Sequence, residues 1–435
     1  MKVLELKGLS QAQIKELCKR QAVDLNAIMP AVQEIIKDVK SNGDKAVLDY
    51  TLRFDGVSID TALVEVPSPE NILLPSHVAA AFDQAYDNIY NFHLAQLPNT
   101  IHVETMPGVV CSREARPIRS VGLYVPGGTA VLPSSVLMLG IPAQIAGCEQ
   151  VVIATPPRKD GSIAPEVLYC ASKCGVKYIL RAGGAQAVAA LAYGTETIHK
   201  VDKILGPGNQ YVTCAKMMLQ LSDALVSIDM PAGPSEVLVI ADETSRPDFV
   251  AADLLSQAEH GADSQVVLVS TSKTLIEETQ KHLELQLAQL PRADYAKKAL
   301  DNSVILFAET MQEALAFSNL WAPEHLIIST DDAEQLRDKI TCAGSVFLGH
   351  WTPESAGDYA SGTNHTLPTN GYARMYSGVS LDSYYTMITF QQISPEGLQK
   401  LGPVVEIMAE SESLEAHKQA VSIRLKTINA ISESN

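Results

Sequence analysis

One pattern recurs from about residue 120 onward: a short apolar run, a turn that contains glycine, and then a helical stretch. The run SVGLYV meets glycines at 127 and 128, VKYILRAGG leads into AQAVAALAYG, and VDKILGPGN leads into QYVTCAKMML. Apolar strands that alternate with helices are typical of parallel sheets whose two faces are covered. The pattern therefore predicts an α/β fold built on a parallel sheet.

A second run of the same kind begins at SEVLVIAD, Ser235 to Asp242, and continues through SQVVLVS, SVILFAE, HLIIST and GSVFLG with helices between them. This repetition predicts two α/β units in tandem. Residues 1 to about 100 read as mostly helical, with helices at 31–40 and 46–54 joined at Asn42-Gly43-Asp44. A polar loop follows at about 351–380, and a helical tail is predicted at 394–431.

Composition excludes several broad classes. The chain has 435 residues, and 33 Lys and Arg against 50 Asp and Glu give a net charge of −17, which disfavours nonspecific DNA binding. The most apolar region, 121–148, is interrupted by proline and glycine, so no membrane span is expected. The N-terminus lacks the apolar run of a signal peptide, and the seven cysteines are odd in number and scattered. We therefore expect reduced thiols and a cytoplasmic location.

The glycine turns do not match a known nucleotide motif. GPGNQY supplies Gly206 and Gly208 but has Tyr211 where the dinucleotide fingerprint needs a third glycine, and a Walker lysine motif is absent. The turns at 126–128, 182–187 and 206–209 could each aim backbone amides at phosphates. Tight packing would equally explain glycine at each turn.

The helix in SRPDFVAADLLSQAEHG carries the clearest local signal. Spacings of three and four residues place Asp253, Gln257 and His260 on one polar stripe beside a buried one. This stripe is compatible with a metal site. Alternatively, His260 simply complements the dipole at the C-terminal end of the helix.

Adjacent acidic and imidazole side chains form a second signal, in WAPEHLIIST. Glu324 and His325 precede a strand that is expected to be buried. A carboxylate that activates water and a base that titrates near neutrality would suit catalysis. An ordinary ion pair is the alternative interpretation.

Two further segments carry polar residues that could bind a ligand. The loop PESAGDYASGTNH holds Glu354, Asp358 and His365, and its small residues allow close approach to a ligand or metal, although a solvated loop is the simpler interpretation. In the tail, His417 falls at helical spacing on the apolar face predicted to pack inward. One histidine on such a face is either a core residue or a ligand, and the face itself must dock, for example on another subunit.

Several of these strings together resemble the histidinol dehydrogenase family. The matching strings, in family order over roughly residues 30–425, are SVGLYVPGGTA, VLMLGIPAQIAGC, GGAQAVAALAYGTE, VDKILGPGNQYV, IDMPAGPSEVLVIAD, DLLSQAEHGADSQ, PEHLIIST, GSVFLGHWTPESAGDYASGTNHTLPT and ESLEAHKQAV. The resemblance implies zinc-dependent, four-electron oxidation of L-histidinol to L-histidine, through L-histidinal and with two NAD⁺, in the last steps of histidine biosynthesis. It also implies that both α/β domains are incomplete Rossmann-like folds.

The same resemblance implies roles for individual residues of this chain. The implied catalytic pair is Glu324 and His325. The implied zinc ligands, which would also contact substrate, are Gln257, His260, Asp358 and His417. The other implied substrate contacts are Ser235, His325, His365 and Glu412. The implied NAD⁺ contacts, each beside one glycine turn, are Tyr124, Gln186 and Asn209.

The family resemblance further implies a homodimer in which the tail carrying Glu412 and His417 completes the partner's site. The predicted division is an N-terminal arm at 1–30, a first α/β domain at 31–125 and 234–375, a second at 126–233, and a helical C-terminal arm at 376–435. Two other functions stay open on the residues alone. One is an NAD-dependent aldehyde dehydrogenase acting through Cys111 or Cys148, and the other is an α/β ligand-binding protein without catalysis.

Overall fold

The computed structural model describes residues 1–20, 25–127 and 131–434. The strands found there, β1 to β15 in chain order, are Lys2–Glu5, Leu63–Glu65, Ile101–Met106, Val109–Pro117, Ser120–Tyr124, Gln150–Thr155, Tyr178–Arg181, Lys203–Leu205, Ser227–Ile228, Glu236–Ala241, Gln265–Ser270, Val304–Phe307, His325–Ser329, Ser345–Leu348 and Tyr385–Ile393.

The α-helices of the same residues, α1 to α15, are Gln11–Leu17, Leu25–Asp55, Ser76–Leu94, Pro133–Ala146, Pro165–Lys173, Gly184–Tyr193, Gln210–Gln220, Pro247–Ala258, Lys273–Leu287, Ala293–Asp301, Met311–Trp321, Ala333–Leu336, Glu354–Tyr359, Pro395–Ser411 and Glu415–Ser434. Helix α2 contains a break at Gly43, whose φ of 53° is not helical. The predicted turn at Asn42-Gly43-Asp44 is thereby confirmed. None of the helices in the described ranges is both long and apolar enough to span a membrane.

Two six-stranded sheets organise the first compact unit, residues 1–96 and 118–384. The first sheet has the order β1-β12-β11-β10-β13-β14 and is parallel throughout. The second has the order β2-β7-β6-β5-β8-β9 and is parallel except for β2, which pairs antiparallel with β7. The tandem parallel α/β architecture predicted from the sequence is confirmed.

The central strands are buried because helices cover both faces of each sheet. All six residues of β10 and all five of β5 and β13 are buried. These strands read as continuous apolar runs, as buried parallel strands do. Helix α6, GAQAVAALAY, is buried along most of its length, since its alanines allow close packing between α2 and α7.

The second compact unit comprises Leu97–Pro117 and the chain from Tyr385 onward. Its three strands form an antiparallel sheet of order β15-β4-β3. Helices α14 and α15 pack against each other, and Leu425 fills the space beside Gly402. The chain from 376 onward was predicted to be helical, so its strand β15 is a departure from that prediction.

The sheets group the strands differently from the predicted division in two places. Residues 31–125 were assigned to the domain of 234–375, but β2 and β5 pair in the second sheet. The predicted N-terminal arm also contributes β1 to the first sheet. Strand pairing is non-local, so a local pattern identifies a strand without identifying its neighbours. The remaining boundaries stay a prediction.

Candidate functional site

The paired acid and imidazole lie at the amino-terminal edge of the first sheet. His325 is the first residue of β13, directly after Glu324, and it pairs in register with Val237 of β10. Helix α8 ends beside this edge and presents Gln257, which is 1% exposed. Ser235 immediately precedes β10. Residues that are distant in sequence therefore meet at one edge.

A chain of hydrogen bonds runs through the His325 ring. Gln257 Nε2 donates to the carbonyl of Glu236 at 3.2 Å and lies 2.9 Å from His325 Nδ1. Because that carbonyl only accepts, the amide group is oriented with its NH₂ toward the ring. When the ring is neutral, His325 Nδ1 accepts from this amide and Nε2 donates to Asp358 Oδ1 at 3.1 Å. The ring is thus held from both sides by residues that the resemblance implies as metal ligands.

Charges around the ring raise its affinity for a proton. Burial lowers the pKa of His325, but the neighbouring Glu324 charge and the hydrogen bond with Asp358 raise it by more, so the pKa lies well above its ordinary value. Burial raises the pKa of Asp358, and the His325 hydrogen bond and charge lower it below its ordinary value. Asp358 is therefore an anion near neutral pH, and His325 has a high affinity for a proton.

Glu324 is held by the backbone of the adjacent strand. Its Oε2 accepts from the N–H of Glu236 at 2.9 Å and lies 3.6 Å from His325 Nδ1. The side chain is largely buried. The other carboxylate oxygen can accept a proton from water.

The remaining histidines and acids of the site differ in their surroundings. His260 is exposed just beyond α8, close enough to Asp358 to act on its charge. Burial lowers the pKa of His365 to about 4, and its Nε2 lies 3.4 Å from Ser135 Oγ. Glu354 is buried and accepts from Ser256 Oγ at 3.1 Å, and burial raises its pKa to about 8. Because its pKa is lowered, His365 is neutral near pH 7 and is suited to hydrogen bonding.

The two implied tail residues belong to the second compact unit. Glu412 ends α14, and His417 lies in the first turn of α15. Both are exposed, so the prediction that His417 faces inward is wrong for the single chain. Within the described residues, no group of three or more His, Cys, Asp or Glu is arranged to hold a metal ion.

The implied dinucleotide contacts gather at the carboxyl edge of the second sheet. Tyr124 ends β5 and its phenol oxygen accepts the N–H of Gly184 at 3.0 Å. Asn209 caps α7 by accepting from the N–H groups of Tyr211 and Val212. Strands β5 and β8 are neighbours where the strand order reverses, and ligands bind at such switch points in parallel sheets. Residues 128–130, at the end of the first glycine turn, lie outside the described residues.

A buried ion pair that the sequence analysis missed supports the third turn. Lys216 Nζ pairs with Asp229 and also donates to the carbonyl of Gly206 at 2.9 Å. Asp229 Oδ2 accepts the N–H of Gly206 at 2.7 Å. Gly206 has a φ of 118°, and a Cβ there would collide with the carbonyl of Tyr124. The turn is thus clamped against β5, but charged residues 13 positions apart gave no local signal of this.

The two cysteines of the alternative mechanism lie in different compact units. Burial raises the pKa of Cys148 to about 12, so its thiol is protonated near neutral pH. Cys111 lies on β4 of the second compact unit, paired with β3 and β15.

Comparisons with known proteins agree on one family. A sequence model described as histidinol dehydrogenase matches residues 18–425. The chain is 59% identical over 431 residues to "Histidinol dehydrogenase, chloroplastic" of Arabidopsis thaliana, covering 99% of this chain and 92% of that protein. It is 52% identical to histidinol dehydrogenase of Bacteroides thetaiotaomicron, covering 97% and 99%.

A solved structure gives the same result for the fold. The crystal structure of histidinol dehydrogenase from Elizabethkingia anophelis superposes with a TM-score of 0.93, at 51% sequence identity and with 99% of each chain covered. The Rossmann-like fold class expected from the resemblance is therefore confirmed. On both sequence and structure, this chain belongs to the histidinol dehydrogenase family of oxidoreductases.

Proposed function

We propose that this chain oxidises L-histidinol to L-histidine through L-histidinal, using two NAD⁺ and one Zn²⁺ per site, in the last steps of histidine biosynthesis. The observation that carries the proposal is the hydrogen-bonded chain of Gln257, His325 and Asp358 beside Glu324. This arrangement brings together the His325 imidazole, which takes up a proton, and the Glu324 carboxylate. It also supplies two oxygen ligands for a cation, from Gln257 and Asp358. Family membership supplies the substrate.

The residues present fit a zinc ion. Both amide protons of Gln257 are directed at protein acceptors, which leaves its Oε1 as a donor to a cation. Asp358 is an anion, and His260 lies just beyond the end of the helix that carries Gln257. Histidine nitrogen and carboxylate oxygen are ordinary zinc ligands. When bound, the ion would hold the imidazole and amino nitrogens of histidinol in place, and we propose His417 as the remaining ligand.

The protein's own residues then account for the proton transfers. His325 takes the alcohol proton as hydride leaves the substrate carbon for the nicotinamide of NAD⁺. Glu324 takes a proton from water, so that the water oxygen attacks L-histidinal and forms the anion of its hydrate. The hydride of this hydrate passes to the second NAD⁺ as its C–O⁻ becomes the carbonyl of the acid. We propose Ser235, His365 and Glu412 as contacts that orient the substrate, and Tyr124, Gln186 and Asn209 as contacts to NAD⁺.

We also propose a homodimer in which the tail of one subunit supplies Glu412 and His417 to the other. Supporting this, the tail helices α14 and α15 expose large apolar side chains, namely Val404, Ile407, Met408, Ile423 and Ile431. Exposed apolar patches are typical of interaction surfaces. The cytoplasmic location stays a prediction, and the Arabidopsis relative is named as chloroplastic.

Removing the metal tests the zinc proposal. We expect chelator-treated protein to lose at least about nine-tenths of its NADH production from L-histidinol, and Zn²⁺ to restore it, because an unplaced substrate loses its orientation. Bound metal is counted in parallel by atomic spectroscopy. His260→Ala should lower that count, whereas His199→Ala, at an exposed histidine, should not. Full activity in protein proven free of metal would refute the zinc proposal.

A further inference from the structure

A cavity of about 470 Å³ lies between the end of α2 and the second and third glycine turns. Gln186 and Asn209, two of the proposed NAD⁺ contacts, form one wall of it. The opposite wall includes Phe54 and Asp55, the last residues of α2. Neither the sequence patterns nor the family resemblance assigned a role to Asp55.

Asp55 is in an unfavourable position for the stability of the protein. Its Oδ2 is buried and has no hydrogen-bond partner among the described residues, and burial raises the pKa of the carboxyl. It also ends a helix, where the partial charge of the helix dipole is negative. A buried acceptor without a partner costs free energy, so a ligand that supplies the missing donor would recover it.

A second unpaired acceptor lines the same cavity. Gln186 is 1% exposed, and its Oε1 is buried without a partner among the described residues. Gly184 leaves room for that oxygen, since a Cβ at this position would lie only 2.7 Å from it. Asp55 and Gln186 both line this cavity and each carries an unpaired acceptor, so a ligand rich in donors would suit it. The ribose hydroxyls of a dinucleotide are such donors.

The rest of the cavity wall suits the nucleobase that is attached to this ribose. Phe54 is half exposed, stacks on Tyr50 with ring centroids 5.5 Å apart, and has the Arg53 guanidinium 5.3 Å from its ring centroid, so this wall offers a planar base an aromatic and cationic surface. Arg53, also on this wall, is exposed and could attract a phosphate. The Asp55 oxygen is buried, whereas the Arg53 charge is hydrated and therefore weakened. We expect the Asp55 carboxylate to decide whether a ribose or a 2′-phosphorylated ribose binds.

We propose that Asp55 accepts hydroxyls of the adenosine ribose and thereby selects NAD⁺ over its 2′-phosphorylated form. A vicinal diol supplies two donors to a carboxylate, whereas a 2′-phosphate sets negative charge against it. This inference rests on the proposed function in one respect, namely that a dinucleotide binds beside Gln186 and Asn209. It differs from the usual Rossmann arrangement because the acid comes from a helix that precedes the sheet.

The test is the binding of ADP-ribose and 2′-phospho-ADP-ribose to Asp55→Asn, measured by calorimetry. We expect ADP-ribose to bind about tenfold more weakly than to the wild type, because one charged hydrogen-bond acceptor is lost. The preference for ADP-ribose over the phosphorylated form should fall by at least about tenfold, and KM for NAD⁺ should rise while kcat changes little. Asp49→Asn, the same change at an exposed site on α2, should leave both affinities unchanged.

A second measurement separates a binding role from a structural one. If Asp55 serves the ligand, removal of its charge leaves Tm equal to or above that of the wild type. A fall in Tm with an unchanged preference between the two ligands would overturn the inference. Wild-type protein that binds ADP-ribose but does not oxidise L-histidinol would refute the proposed function alone. Wild-type protein that binds neither ligand would overturn both.

Discussion

Glu324→Gln is expected to slow the oxidation of L-histidinal by about 10²–10⁴-fold, the range that a positioned general base contributes. Only this half of the reaction consumes water, and a glutamine cannot take the proton. The substitution should preserve the fold, because the glutamine Oε1 can still accept the N–H of Glu236. The oxidation of L-histidinol should be slowed much less. Removal of the Glu324 charge also lowers the raised pKa of His325.

Single-turnover assays that start from L-histidinol and from L-histidinal separate the two halves of the reaction. Glu334→Gln, which removes an exposed carboxylate of α12, serves as the control and should leave both rates unchanged. Equal slowing of both halves by Glu324→Gln would contradict the proposed division of labour between Glu324 and His325.

Mixing two inactive variants should restore activity if the active site is shared between subunits. His260→Ala and His417→Ala each remove a proposed zinc ligand, so each homodimer should be nearly inactive. In a hybrid dimer, one site carries both substitutions and the other carries neither. Random exchange makes half of the dimers hybrids, each with one intact site, so activity should recover to about a quarter of the wild-type value.

Subunit exchange must be shown independently, for example with two affinity tags of different size. Mixtures of His260→Ala with Gln257→Ala give the matched control. One chain supplies both of these residues to a site, so each site of a hybrid dimer lacks one of them and none is intact. Proven exchange without recovery would contradict the shared site and would place His417 with the ligands of its own chain.

Local sequence pattern was sufficient for much of the fold. The buried strands and the helix Pro247–Ala258 follow from runs of apolar residues and from helical spacing, which depend only on near neighbours. The pairing of β5 with β6 and β8 was not predictable in this way, because many apolar strands can pair with each other. The antiparallel pairing of β4 with β15 joins residues more than 250 positions apart and was missed for the same reason.

The candidate site shows the same limit. Glu324 and His325 were visible because they are adjacent, and Gln257 and His260 because they are three residues apart at the end of one helical pattern. The role of Gln257 in orienting the His325 ring, the clamp of Lys216 on the Gly206 turn, and the unpaired oxygen of Asp55 depend on contacts between distant segments. Only the folded chain reveals those contacts.

The yield of NADH per L-histidinol is the most direct test of the central claim. Conversion of an alcohol to a carboxylate removes four electrons, and each NAD⁺ accepts two with one hydride. With limiting L-histidinol and excess NAD⁺, we predict two NADH for each L-histidinol consumed, with L-histidine as the product. A yield of one NADH, with L-histidinal released, would contradict the proposed four-electron oxidation.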